Sequence, residues 1–216
     1  MRFTELEEGI NDPHIFKALF MARAPGSGKS TVARQLFAHT GLRSLNVDNF
    51  WTLYNKLGKQ GDYEKYWELF QKQEKTLLSG RLGLLIDGTA RNPEKMGLVK
   101  QRLEELGYDT AMVFVNTSLE VSLKRVASRA EETGRHVDTE FVTDTWEQVQ
   151  RGLGKLQVMF GRQFFIVDNN RSPDLTYAAK SFHKWLEVPP TMPAAREWIK
   201  ASRPGNTNAS DTKKSS

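Results

Sequence analysis

The chain contains no cysteine. This excludes disulfides and thiolate metal sites and fits a reducing compartment. Its four histidines, His14, His39, His136 and His183, are too scattered for metal-ligand spacing. No apolar run approaches the roughly 20 residues of a membrane span. The N-terminal stretch from Met1 to Glu8 carries acids where a signal peptide would carry bases. The expectation is a cytoplasmic protein with no membrane association. No repeat appears, and no low-complexity tract precedes the C-terminal end. What is present is length: 216 residues suffice for one domain with a substantial core.

The formal net charge is +5. Five bases (Arg196, Lys200, Arg203, Lys213, Lys214) against two acids (Glu197, Asp211) follow Val188, so most of the excess lies at the C-terminal end. A basic segment helps hold an anionic polymer, but net charge alone does not select one. Residues 1–188 are expected to form the folded domain. Residues 189–216 are expected to be a basic, largely disordered tail, with one short helix over Ala194 to Ala201 and disorder from Pro204.

Strand and helix signals alternate along the domain, which predicts an α/β fold with a doubly wound, mainly parallel five-stranded sheet and a helical lid. The strands are expected at Ala18 to Ala22, Leu42 to Val47, Leu82 to Asp87, Thr110 to Val115 and Gln163 to Val167. Asn92-Pro93 starts a helix with a capping side chain and proline at the first helical position. Ser118 caps another, and a long helix is expected over Thr139 to Phe160.

The first strand runs into Pro25-Gly26-Ser27-Gly28-Lys29-Ser30-Thr31, and a helix pattern (Val32, Leu36, Phe37) follows. This is the strand–loop–helix context of a phosphate-binding loop, the mark of a P-loop NTPase. Gly26 and Gly28 let successive N–H groups converge. The helix N-terminus adds oriented donors and partial positive charge. Lys29 reaches the β- and γ-phosphates of ATP, and the Ser30 hydroxyl ligates Mg²⁺. The loop departs from the usual pattern at one place, since Arg23 stands where the first glycine belongs. A glycine is dispensable there if the backbone is already strand-like; the alternative is that Arg23 presents its guanidinium near the phosphates.

Strand ends carry the remaining chemistry. Asp48, at the end of the second strand, is placed to accept a proton from an attacking hydroxyl. Trp51 offers a face for a base, with lid packing as the alternative. Asp87 ends the third strand as an acid that positions an acceptor or a Mg²⁺-bound water. The string Asp87-Gly88-Thr89 resembles half of a phosphatase motif, but Leu85 occupies the nucleophile's place and excludes that chemistry. Arg125 and Arg129 lie one turn apart on the helix after the fourth strand. A mobile segment carrying them offsets transition-state charge. Asp168-Asn169-Asn170, with Asn169 as the candidate contact, follows the fifth strand, where P-loop kinases often hold the adenine.

Together, Ala24 to Thr31, Leu45 to Asp48, Ile86 to Glu94 and the Arg125/Arg129 pair resemble the kinase domain of phage polynucleotide kinases and the related zeta-toxin-like kinases. The resemblance spans about residues 15–170. It implies that Lys29 and Ser30 serve ATP and Mg²⁺, Asp48 is the general base, Asp87 helps place the acceptor, and Arg125 with Arg129 belong to the lid. Trp51 stands where phage polynucleotide kinases carry an arginine for the acceptor's phosphate. The expected reaction is phosphoryl transfer to a hydroxyl of nucleic acid, either a 5′-hydroxyl end or a hydroxymethylated base in DNA. Two alternatives stay open: a small-molecule acceptor such as a nucleotide sugar or nucleoside, and an ATPase module. No signature of a protein partner is visible.

Overall fold

The computed structural model describes residues 9–45, 63–88, 90–134, 136–171 and 175–203. The elements in order are β1 (Lys17–Arg23), α1 (Lys29–Phe37), β2 (Arg43–Leu45), α2 (Tyr63–Ser79), β3 (Leu84–Gly88), α3 (Pro93–Glu105), β4 (Asp109–Asn116), α4 (Leu119–Thr133), α5 (Thr139–Phe160), β5 (Phe164–Asp168), α6 (Thr176–Glu187) and α7 (Pro193–Ser202). A 3₁₀ turn over Gly161–Gln163 joins α5 to β5.

The sheet order is β2-β3-β1-β4-β5, with every pairing parallel. Parallel strands need crossovers, and helices on both faces make the strands apolar on both sides. β1 obeys this by alternation. Phe20 faces a core with Met112, Phe114, Val149, Leu156 and Phe160. Leu19 and Met21 face the other, with Val32, Leu36, Val113, Val115, Phe182 and Trp185. Each such side chain, fully buried, stabilises the fold by about 1.5–3 kcal/mol. The strand order reverses beside β1, so the C-terminal ends of β1, β3 and β4 border a crevice of the kind in which α/β folds take ligands.

At the opposite edge, Lys17 begins β1 and Asp109 begins β4, opposite each other in register. Their side chains form an ion pair of 2.9 Å, almost wholly buried. Asp109 also accepts from the Thr191 backbone N–H, and the Lys17 ammonium lies 5.0 Å from the Trp185 ring centroid.

The expected short helix over Ala194 to Ala201 is present as α7, and two features go beyond the sequence reading. α6 was not anticipated, yet it buries Ala178, Phe182, Trp185 and Leu186 against the sheet. The folded body also extends beyond 188. In α7, Ala195 is fully buried and its backbone N lies 2.9 Å from where a Cβ on Gly107 would sit, while Trp198 meets the Phe16 ring edge-on. These contacts make 189–203 part of the domain. Residues 204–216 of the expected tail lie outside the described residues.

Candidate active site

The phosphate loop leaves β1 at Arg23, which pairs in register with Val115 of β4. The backbone is extended at that point, so the usual glycine is not needed. Gly26 and Gly28 do need their freedom, with φ of 73° and 79°. Gly28 is the N-cap of α1 and provides no side-chain cap. The first backbone donors of α1 are therefore left to whatever binds the loop. Lys29 and Ser30 open α1, which fixes their backbone; their side chains lie outside what the structure describes.

Neighbouring elements press on this loop closely. A Cβ on Gly26 would fall 2.3 Å from the Ser122 carbonyl oxygen in α4. A Cβ on Gly28 would fall 2.3 Å from Asn169 Nδ2 and 3.3 Å from Arg125 Nη1. The cradle is thus one that only glycine fits. It is walled by the lid helix on one side and by the end of β5 on the other.

Asn169 is 3% exposed, and its Nδ2 donates to the Ser27 carbonyl at 2.6 Å. Its own N–H donates to the Asn116 carbonyl at the end of β4. Sequence reasoning placed this residue at the adenine; the structure commits its amide to holding the phosphate loop. Asn170 extends the linkage, accepting from the Ser118 N–H at the start of α4 at 2.7 Å. The ends of β4 and β5, the lid helix and the loop are joined in this way.

Arg125 reaches back over the loop, and its Nη2 donates to the Arg171 carbonyl at 3.4 Å. Arg129 lies one turn further along α4 and is exposed. Of the two arginines, Arg125 is the one whose guanidinium is placed beside Gly28. Asp87 is the penultimate residue of β3, opposite Met21 of β1. Its carboxylate is borne by the strand beside the one that leads into the loop. Asp48 and Trp51 lie outside the described residues.

Arg91 was not singled out from sequence. Its Nε donates to Gln148 Oε1 at 3.2 Å, its Nη2 lies 3.5 Å from Asp144 Oδ2, and its guanidinium sits 5.2 Å from the Phe141 ring centroid. All three partners belong to α5. A guanidinium is thereby fixed just beyond Asp87. The signal was the basic residue before the Asn92-Pro93 helix start, which needs α5 for its meaning.

Several buried hydroxyls near the loop have no hydrogen-bond partner among the described residues: Ser27 Oγ, Ser122 Oγ and Thr117 Oγ1. Their residues are 1%, 0% and 3% exposed. Buried polar groups left unpaired are uncommon and mark places where structure serves something other than stability. No group of three or more His, Cys, Asp or Glu suited to a metal occurs among the described residues. A nucleotide-borne Mg²⁺ needs none, because phosphates and water fill most of its octahedron.

The sequence matches the zeta toxin family over residues 10–177. Among the curated proteins compared, none matches the chain significantly. Solved structures do. A chain of the Pnkp1/Rnl/Hen1 RNA repair complex is 25% identical, with a TM-score of 0.53 over 67% of this chain and 47% of that one. A chain of the AvrRxo1-ORF1:-ORF2 complex with ATP is 16% identical, with a TM-score of 0.57 over 77% of this chain and 58% of that one. This chain thus spans less than two thirds of both. A chain from the PezAT toxin–antitoxin system of Streptococcus pneumoniae is 19% identical, with a TM-score of 0.50 over 94% and 95%. No helix among the described residues is long and apolar enough to cross a membrane.

Proposed function

The chain belongs to the zeta toxin family, and from that premise we propose that it is an ATP-dependent kinase acting on a hydroxyl group of nucleic acid. The acceptor is a 5′-hydroxyl end or a hydroxymethylated base. The observation that carries phosphoryl transfer is Arg125 beside Gly28, a guanidinium from the lid helix set against a phosphate cradle. A switch or simple binding module does not need a cation poised over the loop. Transfer does, because charge spreads over the oxygens of the migrating phosphoryl group. The 25% identity to a chain of an RNA repair complex favours nucleic acid as acceptor.

Each residue has a part in the reaction. Backbone N–H groups of the loop, those of Gly26, Gly28, Lys29 and Ser30 among them, bind the phosphates, and Lys29 bridges the β- and γ-phosphates. Asn169 keeps the loop from opening by holding the Ser27 carbonyl. Ser30 would hold Mg²⁺, which offsets charge on the β- and γ-oxygens when bound. Asp48 accepts the acceptor's hydroxyl proton. The acceptor oxygen bonds to the γ-phosphorus as the bond from phosphorus to the β–γ bridging oxygen breaks, and ADP leaves. Asp87 and Arg91, on the β3 side of the crevice, orient the acceptor.

Family membership favours a second acceptor, a nucleotide sugar, since it is the zeta-toxin-like kinases that suggest a small molecule. Transfer from γ-labelled ATP to a panel separates the readings. The panel holds 5′-hydroxyl DNA, 5′-hydroxyl RNA, hydroxymethyluracil DNA and UDP-sugars. Label on a polynucleotide supports the proposal. Label on a UDP-sugar alone overturns the acceptor, and release of phosphate with no labelled product overturns the kinase.

A further inference from the structure

The edge of the sheet farthest from the phosphate loop carries two adjoining grooves. One, of about 470 Å³, is lined by Arg162, Tyr177, Ser181, Lys184 and Trp185 over the starts of β1, β4 and β5. The other, of about 580 Å³, is lined by Pro189, Pro190, Arg196, Lys200 and Arg203. They share Val188 and Thr191, so they form one continuous depression.

Two helices face it in the same way. On α6, Tyr177, Ser181 and Lys184 recur at spacings of four and three, and on α7 Arg196 and Lys200 lie four apart, with Arg203 just past the helix end. Such spacing puts the three on α6, and the two on α7, on one helical face. α7 is held to the core by Ala195, Trp198 and Ile199. That docking turns Arg196 and Lys200 outward, and these two and Arg203 are exposed. Arg162 and Lys184 are exposed as well.

The acids lining the depression are already engaged. Asp109 is held by Lys17 and Thr191, and Glu104 accepts from Lys100 and Thr110. Among the described residues, none of the five exposed cations has an acidic partner within ion-pair distance, although Arg196 Nε donates to the Pro190 carbonyl. An exposed aromatic lies among them, since Tyr177 is 77% exposed.

We infer that this depression is a docking track for single-stranded nucleic acid, separate from the acceptor site. A row of unpaired cations fits a phosphate backbone, and an exposed ring gives a base something to stack on. Anionic lipid would use the cations but has no need of the ring or the grooves. The eight residues of β4, about 25 Å of strand, separate the strand-start end of the sheet from the phosphate-loop end. A strand bound there is tethered rather than reacting. The track stands whether the acceptor is a polymer or a small molecule.

The test uses the full chain and a fluorescent DNA strand of about 20 nucleotides, longer than the ~4–16 that a small single-strand-binding fold covers. The strand is 5′-phosphorylated, 3′-blocked and unmodified, so it offers no acceptor hydroxyl. Its binding therefore fails or succeeds independently of the transfer panel. Combined Arg196→Glu, Lys200→Glu and Arg203→Glu should weaken binding at least about tenfold at low salt. The slope of log affinity against log salt should shrink by about 2. Tyr177→Ala, on the other helix, should weaken it about fivefold or more. Unchanged affinity in the folded triple variant or in Tyr177→Ala overturns the track, as does a wild-type protein that does not bind the strand. Tighter binding to phosphatidylserine vesicles than to the strand assigns the surface to a membrane and overturns it too.

Discussion

At the start of the strands, the fold buries an ion pair and then surrounds it: Lys17 and Asp109 hold each other, Thr191 donates to the carboxylate, and Trp185 covers the ammonium. At the strand ends, the fold buries Ser27, Ser122 and Thr117 hydroxyls and leaves them without partners among the described residues. The ion pair at the strand starts is closed by mutual satisfaction. The phosphate loop is held in shape by backbone and amide contacts, with those three hydroxyls buried at its end of the sheet. The difference separates what keeps the molecule together from what the molecule does. It predicts that substitutions at one edge move stability and at the other move chemistry.

The largest effect that would sharpen this contrast is at Asp48. Asp48→Asn removes the proposed base and should cut transfer from ATP by about 10²–10⁴ while ATP binding persists. Parallel transfer assays and nucleotide titrations check it; equal turnover breaks the assignment. At the other edge, Asp109→Ala leaves Lys17 buried without its counter-charge. This should cost about 3–5 kcal/mol, seen as a drop of roughly 10 °C in melting temperature. Transfer per folded molecule should stay at the wild-type value. Activity lost without loss of stability would erase the distinction between the two edges.

Gly28→Ala sets a side chain against Asn169 and Arg125 in a left-handed backbone conformation. A misplaced loop should lower transfer by about 10²-fold with a smaller change in melting temperature. The smallest effect concerns His14, whose pKa is lowered by burial, partly countered by Asp12. A depressed folded pKa means that the folded state favours the neutral ring. The resulting stability is full above about pH 6.5 and is lost as pH falls through the lower folded value. The melting temperature should therefore fall slightly on acidification below neutrality, and His14→Gln should flatten that dependence.

The centre of the sheet was legible because β1 and β4 are buried on both faces. Ala18 to Ala22 and Thr110 to Val115 were expected as strands, and both lie within observed ones, with one added residue at each end. The capped helix start at Asn92-Pro93 was equally plain, since Asn92 accepts from the Lys95 N–H. α6 escaped notice because two alanines supply part of its apolar face and turn-forming residues precede it. Phe182 and Trp185 nevertheless gave it the right period.

The site divides along the same physical line. Gly26 and Gly28 announce themselves locally, because the conformations they permit are local. The reach of Arg125 to Gly28, the clamp from Asn169 to Ser27 and the seating of Arg91 on α5 join residues far apart in the chain. No spacing rule reports such contacts. Arg23 was the converse case: unusual by pattern and ordinary in structure, since β1 continues through it.

The account rests on a lid-borne guanidinium acting on the phosphate loop, and Arg125→Ala tests that most directly. Single-turnover transfer from γ-labelled ATP to the labelled acceptor should fall by about 10³-fold, with ATP affinity reduced far less. Transfer at the wild-type rate, or a loss explained wholly by weaker ATP binding, would contradict it.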